Sequence, residues 1–169
     1  MRNLITYEEI SQLARPCTTD RDMAEAMIAE AQRVELKPRL GDALYMKILA
    51  EDPEERFRIL LEGGEWKCSC GEHLLTGIKT ALAYYALARI VRDGNIQATT
   101  YGTAVKDDQY STDPERTERQ RQYRELFSQA DIYIAEAINY LSQNRSQFPE
   151  YKVCGKIRSN RMQIKIIGR

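Results

Sequence analysis

The chain has 169 residues, with 25 basic and 25 acidic side chains and a formal net charge of zero. That length fits one domain with a real core, and the neutral balance excludes a global basic field for holding nucleic acid. One histidine and four cysteines, Cys17, Cys68, Cys70 and Cys154, leave little material for acid–base or metal chemistry. The opening MRNLITYEE has no long apolar core, so no signal peptide is expected, and free thiols in a reducing cytoplasm are the expectation.

Thr6-Tyr-Glu-Glu9 spells a capping box, in which the Thr6 hydroxyl and the Glu9 carboxylate each satisfy the other residue's backbone N–H. A short helix with Ile10, Leu13 and Ala14 on one side follows, and Arg15-Pro16 ends it. Thr19 and Asp20 offer a second helix start. Met23, Met27, Ala31 and Val34 recur at helical spacing along it, Ala26 and Ile28 lie beside them, and Glu25, Glu30, Gln32 and Arg33 take the wet side. A methionine stripe can be an adaptable binding surface, but this periodicity favours core packing.

Leu36–Asp42 reads as a break, with Pro38 suited to a turn or a first helical turn and Gly41 to a bend or close packing. Ala43, Leu44, Ile48 and Leu49, with Tyr45 alongside, predict another short helix. Asp52-Pro-Glu-Glu55 combines a cap, a first-position proline and first-turn acids, so it predicts the next helix start. Phe57, Leu60 and Leu61 form that helix's apolar side, and Gly63-Gly64 stops it. In Glu65–Glu72, Trp66, Cys68 and Cys70 alternate with Lys67 and Ser69, which predicts a short strand or tight hairpin.

Leu74–Val91 is apolar almost all round, with only Lys79 and Arg89 charged. A helix of that kind is enclosed by others, so it is predicted to be the centre of the domain. A membrane span needs about 20 largely apolar residues, and two basic residues in a highly charged chain argue against one. Asn95–Asp113 reads as a long irregular stretch permitting one extended segment, and loops this long are usually functional or disordered. The longest helix is predicted from Pro114 to Gln143. Its first turns alternate in charge, and Tyr123, Leu126, Phe127, Ala130, Ile134, Ala137, Ile138 and Leu141 form a stripe expected to pack on the central helix.

Asn144–Tyr151 is a linker holding Phe148-Pro149. Beyond residue 150 the charge changes sign: six of the basic residues fall there and no acidic one, leaving the first 150 residues with nineteen basic against twenty-five acidic. Residues 1–150 are therefore read as a helical body and residues 151–169 as a basic arm. Met162, Ile164 and Ile166 alternate with polar residues over Arg161–Ile167, which predicts a terminal strand needing a partner. That partner is the Trp66–Cys70 segment, the 96–106 stretch or a neighbouring subunit. The expected fold is mainly α: five to six helices bundled around a central apolar helix, with a small β element from short segments and the C-terminal strand.

Cys68, Cys70, His73 and Cys154 carry donors suited to tetrahedral zinc, but a single residue between Cys68 and Cys70 is shorter than common zinc spacings. A disulfide from Cys68 or Cys70 to Cys154, or plain small hydrophobes, are the other readings of these cysteines. His73 lacks a recognised nucleophile and orienting carboxylate, and no phosphate-loop motif occurs, so neither catalysis nor a cofactor is expected.

Taken together, several stretches resemble a family of head–tail connector (adaptor) proteins of tailed bacteriophages and prophages of gut bacteria. They are Leu4–Thr6 through Leu13–Pro16, Ile28–Ala31 leading to Leu36–Tyr45, Leu60–Trp66, Gly77–Arg89, and Phe148–Tyr151 with Cys154-Gly155 and Asn160-Arg161. None is a catalytic signature; the specificity lies in their combination and order. The resemblance implies a non-enzymatic virion protein made in the bacterial host cytoplasm. It would form a homo-oligomeric, dodecameric ring between the portal protein and the tail or further connector proteins, with genome DNA passing through the lumen without sequence-specific binding. On that reading Tyr101, Asp107, Asp108 and Tyr110 of the long loop, and Lys152, Lys156, Arg158, Arg161 and Lys165 of the tail, are partner-binding candidates. The alternative is a cytoplasmic DNA-binding or regulatory helical protein using its basic tail.

Overall fold

The computed structural model describes residues 2–50, 53–68, 71–93, 96–99, 102–105 and 116–152, with 96–99 and 102–105 as backbone. The fold is mainly helical with a small antiparallel β element. Helix α1 (Tyr7–Leu13) opens on the predicted box: the Thr6 Oγ accepts from the Glu9 N–H, and the Glu9 carboxylate accepts from the Thr6 N–H at 2.7 Å. Helix α2 (Arg21–Ala31) opens on Asp20, whose carboxylate accepts from the Met23 N–H.

Beyond Ala31 the helix does not break where the sequence suggests. It continues as one π-helical turn, Gln32–Leu36, and then as α3 (Lys37–Leu40). The Lys37 N–H donates to the Gln32 carbonyl, five residues back. This turn overturns the stripe expected from the sequence. Ala24, Ile28 and Ala31 are buried at α spacing, but the next buried apolar residues are Leu36 and Leu40. In an unbroken α-helix, at roughly 100° per residue, those leucines would point well away from Ala31. The wider turn holds one extra residue and swings them back. Val34 is consequently exposed, and Gln32, expected on the wet side, is 1 % exposed.

Gly41, at φ +80°, ends α3 and leads into α4 (Asp42–Ile48), which buries Leu44, Tyr45 and Ile48. Helix α5 (Arg56–Glu62) starts later than the Asp52-Pro53 signal and buries Phe57, Leu60 and Leu61. Strands β1 (Gly64–Cys68) and β2 (Gly71–Leu75) then form the expected hairpin, with Trp66 opposite His73. The central helix, α6, runs over Ile78–Asp93 rather than from Leu74. Leu74 belongs to β2 and is exposed, because Gly77 (φ +93°) turns the chain between strand and helix. A Cβ on Gly77 would lie 2.6 Å from the Gly63 nitrogen, and one on Gly63 would lie 2.5 Å from the Leu75 carbonyl oxygen. Only glycine allows the chain entering the hairpin to touch the chain leaving it.

Helix α7 (Arg116–Gln143) is the longest and lies antiparallel along α6, as the pairs Thr76–Glu136, Tyr84–Tyr133 and Arg92–Tyr123 show. Its buried stripe is Leu126, Ala130, Ile134, Ala137, Tyr140 and Leu141, close to the expected one. Between α6 and α7, where an irregular stretch is expected, the backbone forms a second hairpin of β3 (Ile96–Thr99) and β4 (Gly102–Val105), pairing Ile96 with Val105. β-Branched residues and Gly102 suit that geometry.

Helix α6 is enclosed by α7, α2, the π turn, α1 and α5. Its alanines, Ala81, Ala83, Ala86 and Ala88, are all buried, which lets the neighbours approach closely. Each fully buried Leu or Ile in such a core contributes about 1.5–3 kcal/mol. The 144–151 segment also differs from expectation. Phe148 is buried against Phe57 and Tyr140, and Tyr151 is buried as well, so packing continues past the expected start of the arm. The predicted strand at 161–167 lies outside the described residues. No helix among the described residues is long and apolar enough to cross a membrane.

Candidate functional site

Of the residues singled out for zinc, the structure describes Cys68 and His73. The hairpin register brings them together, with Cys68 Sγ 3.3 Å from His73 Nε2. His73 stacks on Trp66 at 4.8 Å, and Trp66 meets Tyr140 edge-on at 5.1 Å. Cys68 is disulfide-bonded, a correction to the expectation of free thiols, and its sulfur is not a thiolate ligand in this state. Cys70 and Cys154 lie outside the described residues. Among the described residues no cluster of three His, Cys, Asp or Glu side chains is arranged to hold a metal ion. Cys17 is a free thiol, pushed up in pKa by burial.

Of the partner-binding candidates, Lys152 is described and exposed. Tyr101, Asp107, Asp108, Tyr110, Lys156, Arg158, Arg161 and Lys165 lie outside the described residues.

The sequence reading misses a buried charge centre. Arg89, in the middle of apolar α6, is 5 % exposed. Its Nη1 donates to Glu30 at 2.5 Å and its Nη2 to Glu35 at 3.0 Å. The other Glu35 oxygen accepts from Arg39 at 2.8 Å, and Arg39 reaches Asp131 of α7 at 3.0 Å. The Tyr85 hydroxyl donates to the same Asp131 oxygen at 2.6 Å, and the Arg39 guanidinium lies over the Tyr85 ring. Burial, and then the bond to Asp131, holds the Tyr85 phenol well above its ordinary pKa. Four elements are tied here: α2, the π turn with α3, α6 and α7. Glu35 faces Arg89 because it continues the buried spacing of Ala24, Ile28 and Ala31. A buried arginine needs a buried acid, so Arg89 inside an apolar run was the available signal.

Two further features lie at the surface. Each end of α6 adjoins a two-stranded hairpin, and among the described residues neither hairpin has a third strand. Strand edges of this kind are templates for pairing with another segment. Exposed Leu74 lies on β2, and Val34, Met46 and Ile132 are exposed on the helices.

Comparison with known proteins finds no match among curated proteins and none among solved structures. A family model does match, over residues 36–161, spanning α3 to α7 and the segment that follows. The chain belongs to the family of unknown function DUF6712.

Proposed function

We propose that the protein is a structural virion component, a head–tail connector that assembles as a ring between portal and tail. The resemblance of the segments from Leu4 to Arg161 to phage connectors supplies the identity of the assembly. The structural observation that carries the reading is the division between body and edges. Helix α6 is sealed on all sides and locked by ion pairs to its neighbours, while the hairpins at its two ends keep pairing edges. A ring built from repeated heterologous contacts needs a body that does not deform and edges that find the next copy. Strand addition at a hairpin supplies main-chain hydrogen bonds for such a contact, and the alternating Arg161–Ile167 segment is a suitable added strand.

The test is to mix the purified full chain with the portal protein encoded by the same genome, then apply light scattering and negative-stain imaging. Rings stacked on the portal are the expected result, weakened when residues 153–169 are removed. A chain that ignores portal rings, yet retards duplex DNA with a steep salt dependence, would replace this reading with the DNA-binding one.

A further inference from the structure

Hairpin β1–β2 carries a sulfur and an imidazole that the proposed function does not use. Half-buried Cys68 closes β1, and His73 stands in β2 directly opposite Trp66. Side chains alternate between the faces of a sheet, and opposed residues share one. Trp66, Cys68 and His73 therefore lie on one face. Lys67 and Glu72 lie on the other and pair with each other at 2.6 Å. His73 stacks on Trp66, and Trp66 meets Tyr140 of α7 edge-on. The stack fixes the plane of the imidazole, whose Nε2 stands 3.3 Å from Cys68 Sγ. That sulfur is already bonded to another cysteine. Opposite Cys68 is Gly71, which has no side chain to shield the bond. Among the described residues nothing lies within 4 Å of where a Gly71 Cβ would stand. Cys17 is the contrast within the same chain. It is a free thiol whose pKa burial raises, and the single histidine is not its neighbour in sequence or hairpin.

We propose that Cys68 and His73 form a thiol–disulfide exchange site whose reaction partner is a dithiol. The incoming thiolate attacks the sulfur bonded to Cys68 and forms a mixed disulfide with that other cysteine. The electron pair of the broken S–S bond leaves on Cys68 as a thiolate. His73 Nε2 carries a proton toward the departing sulfur and stabilises its charge. The second thiol of the dithiol then attacks the mixed disulfide and releases the other cysteine. The dithiol leaves as its own disulfide, and the protein keeps the two electrons and two protons as two thiols. Run backwards, the same contact keeps Cys68 ionised as the nucleophile. The site stands on the hairpin alone and does not depend on the connector reading.

The probe is dithiothreitol, added at pH 7 to the oxidised full chain. Iodoacetamide trapping with mass spectrometry follows the Cys68 bond, and the emission of Trp66, the only tryptophan, reports the same event beside it. His73→Phe keeps a ring on Trp66 and removes the nitrogen. Reduction is expected to slow by about tenfold or more in that variant. In the reduced wild type, iodoacetamide is expected to label Cys68 about tenfold faster than Cys17 at pH 7. Equal reduction rates in the wild type and a folded His73→Phe overturn the proposal and leave the contact as packing alone. Should that variant fail to fold, the labelling rate of the reduced wild type against pH decides. A Cys68 midpoint below the ordinary thiol value of about 8.5 supports the site, and one at or above it overturns it.

Discussion

The two ends of α6 are buried by different balances of apolar packing and charge. Near its start the neighbours are aromatic: Phe57, Phe148, Tyr140 and Trp66 meet edge-on or tilted, with centroids 5.1–5.9 Å apart. Near its end charges join the rings: Phe127 and Tyr123 pack there too, but Arg89, Glu35, Arg39 and Asp131 add a chain of ion pairs. Aromatic packing gains mainly from the apolar area it buries, with a smaller contribution from edge-to-face geometry. A buried ion pair gains little net stability over an apolar replacement, but it penalises any arrangement that leaves one charge alone. The first end supplies stability, and the second dictates which helix faces which.

Substitutions separate these roles. The largest loss is expected from Arg89→Met, about 3–5 kcal/mol, because one Glu35 oxygen is left buried without its cation and Arg39 alone remains on the other. Adding Glu35→Leu should restore much of it, as read by urea unfolding; if the double variant is no better than the single, the ion pairs contribute stability as well as orientation. Phe148→Ala should cost about 3 kcal/mol through the cavity it leaves between Phe57 and Tyr140. Truncating a second ring there should deepen the loss rather than repair it.

Tyr85→Phe should cost about 2 kcal/mol, since Asp131 loses a short hydrogen bond from a neutral donor. The same tyrosine sets an alkaline limit. Its native pKa is raised, as are those of Tyr45 and Tyr140, all through burial first. The folded chain therefore keeps protons that the unfolded chain releases above about pH 10. Stability is full below that pH and falls as pH rises through it. Absorbance near 295 nm should show these phenols ionising together with unfolding, and Tyr85→Phe should flatten that limb.

The smallest effect belongs to the Arg56–Glu150 latch beside the aromatic end. Arg56 donates to both Glu150 oxygens and to the Gln147 carbonyl, and holds the Glu150 carboxylate below its usual range. The contribution is present above the ordinary carboxylate pKa and lost as pH falls through the depressed native value. Glu150→Gln should remove a slight acid-side slope in thermal melts and little else.

The sequence carries the helical body well. The Thr6 box, the Asp20 cap, the Gly63 stop and the α7 stripe are local signals, and each acts where it stands. Failures occur where a distant contact sets the geometry. Met23, Met27 and Val34 keep α spacing, yet the buried stripe runs one residue round the helix through Ala24 and Ile28, and beyond the wider turn through Leu36 and Leu40. Phe148 looks like part of a linker until Phe57 is beside it. Arg89 is visible as an anomaly, but its acids lie 59 and 54 residues away and share no motif with it.

The crossing of Gly63 and Gly77 makes the first hairpin a closed loop on a fixed neck. Lengthening or rewriting its tip, around exposed Lys67 and Glu72, leaves the distance between α5 and α6 unchanged. A peptide tag grafted at this tip is therefore expected to leave the packing of α5 against α6 intact.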